Sequence, residues 1–168
     1  MTFNNSKKNV YIALGSNLGD RLKNIEKAYG LITLELGEIF KKSSVYESKA
    51  QGYSSENNYY NSVILCQTEK TPENVLEILL NIEKKLGRKR TSSDYQDRPI
   101  DLDLLIYDTF AFKMFTPHLE LPHPRIFERS FVVVPLLEIA EDEVLEQVKS
   151  FEYSVQIEDG IEKLSCLD

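Results

Sequence analysis

The sequence predicts an α+β fold: a ferredoxin-like antiparallel sheet with helices packed on it, plus C-terminal additions. Three observations predict it: strand-like apolar runs, two helical stripes of 3.6-residue period between them, and the order strand, helix, strand, strand, helix, strand. That order is the split arrangement in which the helices return to one face of a single sheet.

Val10 to Leu14 is apolar and β-prone, and Gly15, Ser16 and Asn17 end the run in a tight turn. Leu22, Ile25, Tyr29, Ile32 and Leu36 then fall on one helical face. Two strands follow, Glu38 to Tyr46 and Tyr59 to Gln67, separated by a polar segment of about a dozen residues, a length often kept for function. Thr71 and Pro72 supply an N-cap and a first-turn proline for a second helix, striped by Val75, Leu76, Leu79, Ile82 and Leu86 and stopped at Gly87. A basic loop, Arg88 to Arg98, leads into the apolar strand Ile100 to Tyr107, which two aspartates interrupt. Beyond it Phe110 to Phe115 reads as a short strand, while Phe131 to Ile139 and Val144 to Val148 read as helical, with Pro135 opposing the first. Ser154 to Asp168 suits either an edge strand or a frayed end. Neither a repeat nor a linker divides the chain, so residues 1–168 are expected to form one domain.

Composition narrows the function. With 42% hydrophobic residues in 168, the chain can bury a real core. Its net charge of −7 argues against gripping nucleic acid, which relies on Lys and Arg at phosphates, so any anion site has to be local. No stretch approaches the roughly 20 apolar residues that span a bilayer. Cys66 and Cys166 make neither a disulfide framework nor a metal quartet. A cytoplasmic monomer, with no membrane or nucleic-acid partner, is expected.

The chemistry concentrates around the two aspartates. Because strand side chains alternate, Asp101 and Asp103 project from one face about 7 Å apart. Such a pair repels and resists desolvation, which invites a compensating cation; Mg²⁺ suits, since it takes one or two carboxylates and completes its shell with water and phosphates. Alone, Asp-x-Asp also fits solvent-exposed strand residues. Arg88, Lys89, Arg90 and Arg98 lie just upstream, and guanidinium forks suit polyphosphate oxygens, although a solvated loop ending a helix would carry the same charges. His123, Arg125 and Arg129 gather between two prolines and a helix, as a second anion wall or as structure.

In this order, YIALGSNLGDR, LGRKR, RPIDLDLLIYD and LPHPRIFERSF resemble the 6-hydroxymethyl-7,8-dihydropterin pyrophosphokinase family of the folate pathway, over about residues 9–140. The resemblance implies a ferredoxin-like enzyme that moves pyrophosphate from ATP to the pterin hydroxymethyl oxygen and releases AMP, with two Mg²⁺ ions. By the same resemblance Asp101 and Asp103 bind metal, and with Arg88 and Arg98 form the catalytic set. Glu83, Arg88, Arg90, Arg98, His123 and Arg129 hold the nucleotide. Ser48, Ala50, Gln51, Tyr59, Asn61 and Phe131 hold the pterin, stacked between Tyr59 and Phe131. The chain departs from the family at Tyr95, commonly Trp, and at Ser48 to Gly52, commonly proline-containing. Two other readings share the pattern: a metal-dependent nucleotidyltransferase, which would release pyrophosphate rather than AMP, and a ferredoxin-like binding domain without chemistry.

Overall fold

The computed structural model describes residues 6–51, 53–89, 96–151 and 161–164. Strand β1 (Lys8–Ser16) lies inside the sheet, antiparallel to β4 (Tyr59–Thr68) on one side and to β5 (Asp101–Tyr107) on the other. Along the far edge of β4 run β2 (Ile39–Lys42) and β3 (Tyr46–Ser48), and β8 (Glu162–Lys163) adds to β3, giving the order β5-β1-β4-β3-β8. Of the C-terminal segment expected as an edge strand or a frayed end, residues 161–164 are described, and there β8 lies at the sheet edge, fixed also by Leu164 N donating to Val45 O at 2.9 Å. Helices α1 (Arg21–Glu35) and α2 (Pro72–Lys85) start where the capping residues direct: Asp20 accepts from Lys23 N at 3.1 Å and Thr71 from Asn74 N at 3.3 Å. Gly87 ends the second helix at φ +95°, where a side chain would be strained.

Strand alternation divides the apolar residues between two cores. Val10, Ile12, Leu14, Ile64 and Cys66 meet Ile25, Ile32, Leu79 and Ile82 of α1 and α2. On the other face Tyr11, Val63 and Leu65 meet Val132 and Leu136 of α3 (Ser130–Ile139) and Val144 and Val148 of α4 (Asp142–Phe151). The two helices of the split arrangement thus share one face, as expected, and the C-terminal additions α3 and α4 bring a helical layer to the other. The physical reason lies in α3, which is apolar nearly all round and must be buried on both sides, against the sheet and against α4. It runs through Pro135 and forgoes one backbone bond there.

Other departures have local causes. The strand expected over Glu38 to Tyr46 is broken into β2 and β3, because the Ser43 hydroxyl accepts from Val63 N at 2.9 Å, substituting a side chain for the ladder carbonyl. Ser44 then turns its N–H to Glu138 Oε2 at 3.0 Å. The strand expected from Phe110 is confined to β6 (Met114–Phe115), which pairs with β7 (Glu120–Leu121), and Phe110 stacks on Phe127 instead. No helix among the described residues is long and apolar enough to cross a membrane.

Gly37 marks how closely α1 is tied to the sheet. A Cβ there would lie 2.0 Å from Gln67 O, a backbone atom of β4 that cannot step aside. Gly37→Ala is expected to cost about 3 kcal/mol in urea unfolding; a loss below about 0.5 kcal/mol would mean that the turn relaxes freely.

Candidate active site

Small residues on the central strand create the cleft. Gly15 on β1 is in register with Asn61 of β4 and with Asp101 of β5, and Ala13 with Val63 and Asp103. All of these point to the face that α3 covers only in part, and side chains of at most one carbon at positions 13 and 15 leave open floor between the flanking strands. With strands about 4.8 Å apart, the Asn61 and Asp101 backbones stand about 10 Å from each other across that floor. The resulting cavity has a volume of about 410 Å³.

One end is ionic. Arg88 Nη1 donates to Asp101 Oδ1 at 2.9 Å, Arg98 Nη1 lies 3.6 Å from Asp101 Oδ2, and Arg129 Nη1 lies 3.8 Å from Asp103 Oδ2. Burial, then the neighbouring Asp101 charge, hold the Asp103 carboxyl above the usual carboxylate range. A positive ligand would oppose that shift. Among the described residues no group of three or more His, Cys, Asp or Glu could cage a metal. The donor set, two carboxylates on one strand face, fits a hard cation that fills its shell with water and substrate oxygens, as Mg²⁺ does.

His123 reaches this end through an irregularity in β5. The pairing of β1 and β5 shifts between Tyr11 and Ile12, and Leu105 is the extra residue. Its carbonyl accepts from His123 N at 2.7 Å, which fastens the segment after β7 alongside the strand. His123 Nδ1 accepts from Arg125 N at 3.1 Å, so the neutral ring carries its proton on Nε2. Burial first, then the charges of Arg129 and Arg125, push its pKa down to about 4, and the ring is neutral at pH 7. Since the unfolded chain takes up that proton near pH 6.5 and the folded chain only near 4, stability should fall as pH drops through this window. The loss is about 1–2 kcal/mol after allowance for the partly solvated ring. Asp103, with its raised pKa, titrates with the opposite sign over the same window, so the readout is the difference between the two proteins: from pH 6.5 to 4.5 the urea midpoint of His123→Gln should gain on that of the wild type, and a constant difference would place the titrating group elsewhere.

The other end is aromatic and amide. Tyr59 and Phe131 line it, with Ser48, Gln51 and Asn61. Asn61 Nδ2 donates to Ser48 Oγ at 2.8 Å and to Tyr46 O at 3.1 Å, which spends both amide protons on the protein. Arg125 lines the cleft with His123 and Arg129, its neighbours in the expected anion wall, whereas Tyr53 and Lys49 line it without having been assigned to the site from sequence. A glycine and an alanine at alternate positions of β1 were the available sign of the cleft itself.

Among the described residues two sequence assignments, Glu83 and Ala50, do not fall in the lining. Glu83 is 2% exposed and lies behind the cleft, where Oε2 accepts from Leu102 N at 2.9 Å and pairs with Arg88. It stands on the buried stripe of α2, directly under the Arg88 guanidinium. Ala50 sits beside the lining residues Lys49 and Gln51 without joining them. Arg90, like the departure at Tyr95, lies outside the described residues.

A polar end of arginines and paired carboxylates, facing an aromatic end across a backbone floor, defines a site for a phosphorylated ligand together with a flat ring. Comparison with known proteins gives that class its family. The sequence model described as 7,8-dihydro-6-hydroxymethylpterin-pyrophosphokinase (HPPK) matches residues 11–141, and the chain belongs to this family. It is 38% identical over 133 residues to the 2-amino-4-hydroxy-6-hydroxymethyldihydropteridine pyrophosphokinase of Porphyromonas gingivalis, covering 78% of this chain and 90% of that protein. With the Aquifex aeolicus protein of the same name it shares 42% over 130 residues, 77% of this chain and 79% of that one. Among solved structures, a Plasmodium falciparum HPPK-DHPS triple mutant with SDX-DHP aligns at TM-score 0.72 and 14% identity, over 99% of this chain. The chain spans about half the length of that protein (49%), and the likeness shows the shared ferredoxin-like fold alone.

Proposed function

We propose that this chain is a 2-amino-4-hydroxy-6-hydroxymethyldihydropteridine diphosphokinase, transferring pyrophosphate from ATP to 6-hydroxymethyl-7,8-dihydropterin and releasing AMP, a step of folate synthesis. Membership of the family supports the reaction. The observation that supports its placement in this cleft is the row Asn61, Gly15, Asp101, which sets a ring-reading amide and a carboxylate at opposite ends of an open floor.

The pterin ring stacks between Tyr59 and Phe131, where offset aromatic contact favours a flat heterocycle. With its two protons committed to Ser48 and Tyr46, Asn61 offers Oδ1 to a donor edge of the ring. Ser48, Gln51 and the backbone near Ala50 complete that wall. Arg88, Arg98, Arg129 and the neutral His123 Nε2–H bind the triphosphate, since a guanidinium has enough donors to serve a carboxylate and a phosphate together. By the family resemblance Arg90 serves the nucleotide as well.

Asp101 and Asp103 would hold Mg²⁺, two ions by the family resemblance. Bound Mg²⁺ supplies charge neutralisation on the triphosphate and acidifies the attacking hydroxyl. The hydroxymethyl oxygen attacks the β-phosphorus in line, the bond to the α-phosphate oxygen breaks, AMP departs with that oxygen, and the hydroxyl proton is lost. The residues contribute chiefly by fixing that alignment and by offsetting charge in a site shielded from water. His123 serves as donor, because its Nδ1 lone pair is occupied by Arg125 N. The same reading takes the chain as one domain over 1–168 and a cytoplasmic monomer, with ATP and reduced pterin as its partners. The net charge of −7 speaks against nucleic acid among them.

AMP production from ATP, Mg²⁺ and the pterin is the test. AMP that appears only when pterin is present supports the proposal; pyrophosphate release, or AMP formed without pterin, refutes it.

A further inference from the structure

Beside the cleft one carboxylate collects donors from four side chains. Asp97 Oδ1 accepts from Ser55 Oγ at 2.7 Å, from Asn17 Nδ2 at 2.9 Å and from the Tyr53 hydroxyl at 3.2 Å, while Oδ2 accepts from Asn57 Nδ2 at 2.8 Å. These bonds, that of Ser55 foremost, hold the carboxyl below its ordinary range. An acid here needs explaining. Asp97 directly precedes Arg98, a residue of the ionic end, and a carboxylate there weakens the positive field that draws a polyphosphate. What it offers in return is acceptor capacity: about four lone-pair sites and no donor of its own, which no neutral side chain provides.

Three separate segments converge on it. Asn17 follows β1, Tyr53, Ser55 and Asn57 belong to the connection between β3 and β4, and Asp97 precedes β5. Asn17 is 1% exposed and locks the junction to the phosphate side, its Oδ1 accepting from Arg98 N at 2.8 Å and its N donating to Arg98 O at 3.1 Å. In the other direction the bonds run into the cleft. With the Tyr53 proton given to Asp97, the Tyr53 oxygen accepts from Asn17 Nδ2 at 3.1 Å and from the Tyr59 hydroxyl, 2.9 Å away. Tyr59 stays a phenol, its pKa raised by burial and then by Tyr53. Both rings line the cavity, so the direction of each is set by a chain of bonds that ends on Asp97.

We propose that Asp97 is a positioning residue for the pterin end of the site, fixing the Tyr53 and Tyr59 rings relative to Arg98 through Asn17, Tyr53, Ser55 and Asn57. This rests on the function proposed above. A carboxylate tied to three segments keeps the ring-binding wall and the phosphate-binding arginine at one separation, which an in-line transfer between the two ligands requires.

The test is steady-state AMP formation by the full chain and its variants, with each substrate varied in turn, together with pterin binding followed by pterin fluorescence. The chain has no tryptophan to interfere with that emission. Asp97→Ala should raise the pterin KM and the pterin Kd about tenfold, the loss of roughly one net charged hydrogen bond, and leave the ATP KM within about twofold. Asp97→Asn, which keeps one acceptor oxygen but sets an amide donor against a donor, should recover only part of the difference. Equal rises in both KM values, a fall in kcat alone, or a variant indistinguishable from the wild type would overturn the assignment. Should Asp97→Ala not fold, Asn57→Ala removes only the Oδ2 bond, with a rise of about two- to threefold expected in the pterin constants alone and the same overturning outcomes. A wild-type chain that makes no AMP refutes the catalytic proposal, and pterin binding then still tests Asp97; an active wild type with Asp97→Ala unchanged refutes only the positioning role.

Discussion

Asp101→Ala and Asp103→Ala should each lower pterin-dependent AMP formation by about 10³-fold while the chain stays folded, because each removes a carboxylate proposed to hold the cation that neutralises the triphosphate. Both side chains stand on the cleft face of β5, outside the two cores, with 29% and 34% of their side chains exposed. Their removal leaves no apolar cavity. It also relieves the repulsion between two like charges on one strand face, so the urea midpoint of Asp103→Ala should stay level or rise, its ionic neighbour Arg129 lying 3.8 Å away. Asp101 differs in supporting Arg88 and Arg98, and its loss should also weaken ATP binding. Activity lost with stability kept marks residues that serve chemistry at the expense of the fold. An Asp103→Ala enzyme retaining a tenth or more of wild-type turnover would remove the paired-carboxylate mechanism.

Glu83→Ala should do the reverse, costing about 3–5 kcal/mol of stability, the range for breaking one partner out of a buried ion pair. Glu83 is 2% exposed; its Oε2 caps the Leu102 N–H, and it pairs with Arg88, whose side chain is 9% exposed. Alanine there leaves a buried amide without its acceptor and an arginine with less support on the side away from the cleft. Glu83→Gln keeps the shape and one acceptor and should lose about 1–2 kcal/mol. Unfolding in urea at pH 7 measures both. If Glu83→Ala loses under about 1 kcal/mol and instead raises the ATP KM tenfold, the residue contacts nucleotide after all.

Much of this was legible because periodicity carries direction. The alternation in IDLDLLIYD puts Asp101 and Asp103 on one face, and the order of strands and stripes gives the sheet. The same tool could have placed Glu83, since Leu79, Glu83 and Leu86 lie at helical spacings of four and three, on the buried stripe of α2. The family resemblance assigned it to the nucleotide; its spacing put it underneath the arginine. Other features have no local signature. The break at Ser43 depends on a hydroxyl meeting Val63, and the orientation of Asn61 on Ser48, 13 positions away. The junction at Asp97 joins residues 40 to 80 positions apart, and a single aspartate in a basic loop looks like any solvated acid. The second helical layer was half visible: the apolar run of α3 required burial, but only packing reveals which face of the sheet receives it.

The floor at Ala13 and Gly15 bears on inhibition. A compound that rests on it touches mostly main chain, and main chain is what point mutation cannot delete. Enlarging either residue to repel the compound would also fill the space between Asn61 and the aspartates, shutting out the natural ligand with the drug. Built on that strip, affinity would leave resistance only the walls to work with, Lys49, Gln51 or Tyr53, whose side chains can change without closing the cleft.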